Sequence, residues 1–597
     1  MPHPIRRCLA LLALGLALAV HAEDFEGTKR AAQRGDAHAQ SVLGLMYEKG
    51  HGVTQSDAKA AQWYRKAAEQ GFAPAQFSLG LMYAEGRGVA RSDAEAVPWF
   101  RQAAQQGFAQ AQFNLARMID DGRGVPQSDA EAARWYRKAA RQGIAQAQYN
   151  LGVMYRKGRG VAQSDAKAVR WYREAALQGL AQAQHNLGVM YEEGQGVAQS
   201  DTEAVRWYRE AARQGSAFAQ FRLGMAYAEG RGVARGDAEA VSWLREAARQ
   251  GLAPAQYNLG QMYRDGQGVP QDHAQAARWY RQAAEQGFAP ARYMLGTLYE
   301  KGQGVAPSHA QAVRWYREAA RQDYGPAQYV LGLMYAKGKG IARDDAQAVQ
   351  WYRKAAEQGY MYAQNNLGGM YADGRGVPQS HAEAVQWYLK AARQGYAPAQ
   401  VNLARRYDRG EGVTQNHAEA VQWYRKAARQ GYALAQFSLG LMYEEGRGVD
   451  KNLAEAAQWY RQAAEQGDAG AQCNLGVLYL DGQGVAQSNA EAAQWFGKAA
   501  RQGLATAQHN LGAMYEEGQG VPRSNAQAAH WFRKAARQEF APSQYSLGVM
   551  YKEGRGVPRS HAEAIKWYRL AARQGHEEAT AALKAMETPA IGPGPAR

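Results

Sequence analysis

The chain has 597 residues, 46% of them hydrophobic and 11% aromatic, enough apolar material for a core and too much for wholesale disorder. Its formal charge of +16 permits attraction to acidic polymers. Two cysteines, Cys8 and Cys473, exclude a disulfide framework.

Residues 1–22 read as a secretory signal peptide. Arg6 and Arg7 form a short basic start, Leu9 to Val20 is an apolar run, and Val20-His21-Ala22 offers a small-x-small cleavage site. The run falls short of the ~20 residues a membrane-spanning helix needs, and no later segment resembles one. Cys8 precedes the run, unlike a lipoprotein cysteine. Cleavage after Ala22 leaves Cys473 as a lone thiol, expected to be a small packed residue on a helix. Export to the periplasm or the medium removes genomic nucleic acid from the expected partners.

All fifteen tryptophans lie 36 residues apart, from Trp63, Trp99 and Trp135 to Trp567. The pair Gly50/Gly52 recurs in the same phase to Gly554/Gly556, as does Ala67-Ala68. Fifteen full units occupy residues 35–574, preceded by a half repeat over 23–34 and followed by a capping helix over 575–586. The tail, 587–597, is rich in Pro and Gly and expected to be disordered.

Each unit predicts two helices. In the first unit Ala39, Leu43, Met46 and Tyr47 place one apolar face on a helix over 37–47, which Gly50 stops. The second helix starts at Ser56, whose column holds only Ser, Asp, Asn or Gly, the residues that cap helix N-termini. Glu or Gln mostly follows three residues later, as in Ser92…Glu95, which predicts a reciprocal capping box. Ala60, Trp63, Tyr64, Ala67 and Ala68 form its apolar face, and Gly71 ends it. One hairpin cannot bury both flanks, whereas stacking on identical neighbours does so and builds an all-α solenoid.

The run Ala37, Ala39, Gln40, Leu43, Gly44, Met46, Tyr47, Gly50, Gly52, Val53, then Trp63, Tyr64, Ala67, Ala68 and Gly71, resembles the Sel-one-like repeat, a relative of the tetratricopeptide repeat. The resemblance covers residues 35–574. Departures are Ala116 and Ala404 for the helix-one glycine, Leu244 for the aromatic after Trp243, and Asp323 and Glu539 for the terminal glycine. Without a cysteine pair in each repeat, the chain resembles the cysteine-poor branch. The resemblance implies an α/α right-handed superhelical solenoid whose first helices line a concave surface. It also implies adaptors of envelope, signalling or secretion complexes rather than enzymes.

The G-x-G loops follow helices rather than strands, no phosphate-loop motif occurs, and they read as turns; no cofactor is expected. His273, His309, His381 and His417 share one column just after the helix cap. Repeat spacing of about 8–10 Å sets them too far apart for a common metal with ligands at about 2 Å, so no metal site is expected. No nucleophile with its base breaks the repeat, so no catalytic residue is proposed, and an enzyme acting on the cell wall is the least supported alternative.

Two surfaces are candidates for partners. On the outer face of the first helix the Ser41 column is aromatic in nine units and the Val42 column is Asn in eight. Asn114, Tyr149, Asn150, Asn186, Phe221, Tyr257, Asn258 and Tyr293 are the candidate residues for holding other proteins or peptide segments, with repeats four to six at the centre. An Asn amide both donates to and accepts from a peptide backbone, and aromatic rings add contact area at low entropic cost. The bland alternative packs these rings between repeats and bonds the Asn side chains to turns. The second surface is the Arg65 column, Arg in thirteen units, with Arg134, Lys138, Arg141, Arg170 and Arg173 beside it. It reads either as a basic ridge for acidic polysaccharide or lipid headgroups, or as a solvated face paired to acids such as Glu48 or Asp121.

Overall fold

A computed structural model describes residues 25–587. The leader with its Ala22 cleavage site, and residues 588–597 of the tail, lie outside the described residues. Among the described residues there are 32 helices and no strand. Helix α1 (Phe25–Gln33) forms the leading half repeat, α2 (Ala37–Lys49) and α3 (Asp57–Glu69) the first hairpin, and α32 (Glu577–Glu587) the closing helix. The intervening helices repeat this pattern. The chain packs as two compact units that divide between Ala306 and Pro307.

Glycine geometry sets each hairpin. Gly50 ends α2 in the left-handed conformation at φ 72°, donating its N–H to the Met46 carbonyl, and the next N–H donates to the same oxygen. At the other end Gly71 has φ 87°. Where that glycine is replaced, Asp323 and Glu539 adopt φ 57° and 64°, the only non-Gly residues described with positive φ. The two helices before them, His309–Ala320 and Asn525–Ala536, are one residue shorter than the usual 13.

The capping box forms only by half. The Ser92 hydroxyl accepts from the Glu95 N–H at 3.2 Å, as expected. The reciprocal donor, the Ser92 N–H, is already taken by the Tyr83 carbonyl at 2.9 Å, an acceptor the end of the preceding helix leaves unpaired. This bond closes the hairpin and leaves the acid free; Glu131 turns instead to Arg101 of the preceding repeat at 2.8 Å.

Within a hairpin, the Gly44 column lets the Tyr64 ring lie on the first helix: a Cβ on Gly152 would stand 2.7 Å from the Tyr172 ring. Between hairpins, the second loop glycine rests on the start of the preceding second helix. A Cβ on Gly124, at φ 68°, would stand 2.3 Å from the Asp93 carbonyl carbon. The tryptophans point back across the same seam. Trp387 joins the apolar cluster built by Ala348, Tyr352, Leu367 and Met370, whereas Tyr388 belongs to the following one with Leu403 and Tyr424.

A ladder of buried glutamines crosses these seams. Gln148 donates to the Ala140 carbonyl at 3.1 Å, at the end of the preceding hairpin, while its own carbonyl accepts from Gln178 at 2.7 Å. The pattern recurs in thirteen further repeats; in the eighth, Arg292 replaces the glutamine and still reaches the Ala284 carbonyl at 2.9 Å. Each carbonyl also accepts from the backbone three residues on, as Ala140 does from the Gly143 N–H at 3.0 Å, so the glutamine supplies its second hydrogen bond.

Substitution of Gly124 by Ala combines a backbone clash with a left-handed φ and should cost about 3 kcal/mol. Glu539→Gly should stabilise by about 1 kcal/mol, because it removes the Cβ from a left-handed residue. Urea unfolding followed by circular dichroism checks both: the midpoint should fall for the first and rise for the second.

Candidate interaction surface

The stripe formed by the first-helix positions equivalent to 38, 41, 42 and 45 is the part of the repeat that varies most while facing outward. Successive residues three and four apart share one helix face, so these four positions form one strip per repeat.

The aromatic column is half-buried. Tyr149 lies 5.9 Å from the Tyr172 ring behind it, Phe113 lies 6.1 Å from Tyr136, and Tyr257 contacts both Tyr280 (5.7 Å) and Phe288 (5.5 Å) of the next seam. Phe221 packs on the cluster of Ala240, Leu244 and Leu259. Tyr293 is likewise half-buried, and burial raises the pKa of Tyr149, Tyr257 and Tyr293. Each ring therefore helps to complete the core while remaining partly exposed.

The asparagines divide into two sets. Asn114 and Asn258 donate to carbonyls one turn back on their own helix, Gln110 at 3.1 Å and Pro254 at 2.8 Å. Asn150 is directed at the Tyr136 hydroxyl, and Asn186 at those of Tyr149 and Tyr172. These side chains bond within helices and to phenols, not to neighbouring turns.

Two repeats in the middle of this stripe depart from the pattern. His185 replaces the ring of the fifth repeat, 5.8 Å from Tyr208, with its Nδ1 buried and unpartnered. Arg222 replaces the asparagine of the sixth, its guanidinium 3.6 Å from Glu192. Burial first, and the Arg222 charge second, push the His185 imidazole down to about 4. Glu192 is itself held by the Tyr208 hydroxyl at 2.6 Å and Arg231 at 2.9 Å.

The Arg65 column does not pair with Glu48 or Asp121. Eleven of the thirteen guanidiniums reach forward to a tyrosine hydroxyl of the next repeat, as Arg173 to Tyr191 at 2.7 Å and Arg425 to Tyr443 at 3.0 Å, while Arg101 and Arg569 pair with Glu131 and Glu587. Glu48 instead accepts from Tyr64 at 2.8 Å and pairs with Arg87 at 3.1 Å. Sequence reasoning missed this tie, although the conjunction of an Arg column with a Tyr column 18 residues on was present in the chain. It also missed the glutamine ladder, signalled by Gln in fourteen of fifteen copies at position 40.

Cys473 is buried, 3.8 Å from the Thr506 hydroxyl, and burial raises its thiol pKa. His381 approaches Arg406 at 3.2 Å and His417 approaches Asp408 at 2.8 Å. Among the described residues no group of three or more His, Cys, Asp or Glu side chains is placed to hold a metal ion. No described helix is long and apolar enough to cross a membrane.

His185 should titrate near 4 by NMR, against about 6.5 for an ordinary imidazole. An imidazole kept neutral in the fold but protonated in the unfolded chain contributes stability above pH 6.5 that is lost as the pH falls toward 4. His185→Phe, the residue found at Phe113 and Phe221, should reduce that acid sensitivity in unfolding experiments. The buried Cys473 thiol should react slowly with a thiol reagent in the native chain and readily after denaturation.

The Sel1 repeat family matches fifteen stretches of the chain, from 37–72 to 541–576. The crystal structure of a protective antigen present in uropathogenic Escherichia coli strains, displaying an SLR fold, is similar at 35% identity with a TM-score of 0.61, covering 82% of this chain and 97% of that one. A Sel1 repeat protein from Oxalobacter formigenes shares 34% identity over 53% of this chain and 93% of its own, with a TM-score of 0.44. No curated protein matches the chain. Fifteen matched repeats on a helical-hairpin solenoid establish that the chain belongs to the Sel1 repeat family.

Proposed function

We propose that this protein is a non-catalytic scaffold of the bacterial envelope that holds segments of partner proteins along the stripe of its first helices. A repeat solenoid of this kind is typical of protein–protein interaction scaffolds. The observation that carries the reading is the half-buried ring column, with Tyr149, Phe221, Tyr257 and Tyr293 as its central members. Each ring is immobilised from behind by the core, so docking a segment on its outer face costs little side-chain entropy. Asn114 and Asn258, fixed to their own helices, add preset polar contacts. Export rests on the basic start, apolar run and Ala22 site of the leader.

The other reading, acidic polysaccharide or lipid headgroups on the second helices, draws on exposed Arg134, Lys138 and Arg141. The Arg65 column supports it less, since most of its guanidiniums are engaged with tyrosine hydroxyls and Arg101 and Arg569 with glutamates.

Photo-crosslinking side chains at Tyr149 and Tyr257, compared with Arg134 and Arg170, separate the two. Protein adducts should form from the first pair in intact cells. The double variant Asn114→Ala, Asn258→Ala should reduce them by about tenfold. Adducts confined to Arg134 and Arg170 and abolished by salt would favour the acidic-polymer reading instead.

A further inference from the structure

Charge on the first-helix stripe is scarce, and all of it is positive. In fifteen repeats the positions equivalent to 38, 41, 42 and 45 hold none of the chain's 55 Asp and Glu residues. Their only formal charges are Arg117, Arg222 and Arg405. No carboxylate on the stripe stands against an incoming acid.

Two of these arginines share one local context. Asn114-Leu115-Ala116-Arg117 of the third repeat recurs as Asn402-Leu403-Ala404-Arg405 in the eleventh, and these are the two repeats in which Ala replaces the helix-one glycine. Both arginines are partly exposed, and among the described residues neither makes a hydrogen bond or an ion pair. Asp120, three residues beyond Arg117, turns instead to Arg159 of the next repeat at 2.5 Å. A cation that gives up part of its hydration with no counter-ion in return is a cost the fold does not recover.

The sixth repeat carries the remaining arginine. Its first helix, Ala217–Glu229, places Phe218, Arg222 and Met225 three and four residues apart on one face. Phe218 is 62% exposed. Arg222 approaches Glu192 only to 3.6 Å, beyond hydrogen-bond reach. Glu192 is already bonded by Tyr208 and Arg231, so the Arg222 donors stay open. Aromatic, Arg and Met side chains are the types that concentrate binding energy at protein interfaces.

We propose that the stripe of the third to sixth repeats binds acidic peptide segments, with side-chain carboxylates on Arg117 and Arg222 and an apolar residue on Phe218. The inference rests on the stripe being the face that holds partner proteins, and it names the chemistry of those partners. A guanidinium presents five donors in a planar fork, which meets a carboxylate at two points. Arg117 and Arg222 stand three repeats apart, roughly 30 Å at the spacing of packed helices. An extended chain covers that distance in about nine residues. A polyanion charged at every unit would find a cation for few of its groups here. A basic segment would meet like charge at both ends.

Fluorescence anisotropy with the full chain tests this, using labelled Ser/Gly peptides of about twenty residues, blocked at both ends so that only side chains carry charge. One peptide has two Glu about nine residues apart, each beside a Leu; its counterparts have Gln at both places, or the two Glu adjacent. The first should bind about tenfold more tightly than either counterpart. Arg117→Gln and Arg222→Gln should each weaken it about tenfold, and Phe218→Ser should weaken it too. Arg134→Gln, which takes the same charge from a second helix, should not. Circular dichroism of each variant confirms that it is folded. No preference for Glu over Gln, or an equal loss from Arg134→Gln, would overturn the inference. Photo-crosslinks from Tyr149 in cells separate it from the scaffold reading. Adducts lost in the double variant Arg117→Gln, Arg222→Gln support it; adducts undiminished there overturn it and leave the scaffold standing. No adducts from the wild-type stripe would remove both.

Discussion

A hairpin of two thirteen-residue helices carries apolar surface on both flanks, and only another hairpin can cover it. The contact that makes this possible is the approach of one loop to the start of the preceding second helix. Gly124 touches the Asp93 peptide there, at a distance no side chain could share. Close approach in turn lets each tryptophan reach the preceding cluster and each buried glutamine reach the preceding hairpin's last carbonyl. The apolar contacts supply most of the stabilisation, while each glutamine adds a second hydrogen bond to a carbonyl at the end of the preceding hairpin and ties the two together.

Repetition of this core confines individuality to the surface. The buried Ala, Leu, Met and Tyr columns scarcely change, because a change in one unit disturbs two seams. The first-helix stripe is free to change. Even there the freedom is partial, since Tyr149 and Tyr257 pack on Tyr172 and Tyr280 of the core while remaining partly exposed. On the proposed function these rings serve folding and binding at once. Where the stripe departs from the pattern, at Asn365, Gly369 and Val401, the Tyr360 and Tyr362 rings pack together, the amides of Asn365 and Asn402 pair, and Val401 is buried.

Much of this was legible in the sequence because repetition exposes the columns. Glycines, helix caps and the apolar faces recur in phase, so helix boundaries and the hairpin followed directly. What did not follow were contacts set by how far one hairpin turns on the next. The Ser92 N–H bonds to Tyr83 instead of to Glu95, because the end of the preceding helix brings a free carbonyl there first. Arg173 meets Tyr191 instead of an acid, since the next repeat's phenol lies within its reach. The candidate Asn and aromatic residues were found as columns, but position alone could not tell that the rings lean on Tyr172 and Tyr280 behind them.

The dependence of each hairpin on its neighbours is tested most directly by length. Far-UV circular dichroism of the single unit 145–180 should show little helix, because the unit lacks both flanking surfaces. Longer arrays taken from the same region should gain helix content per residue and midpoint temperature as repeats are added. A lone unit as helical and as thermally stable as the full chain would contradict the account.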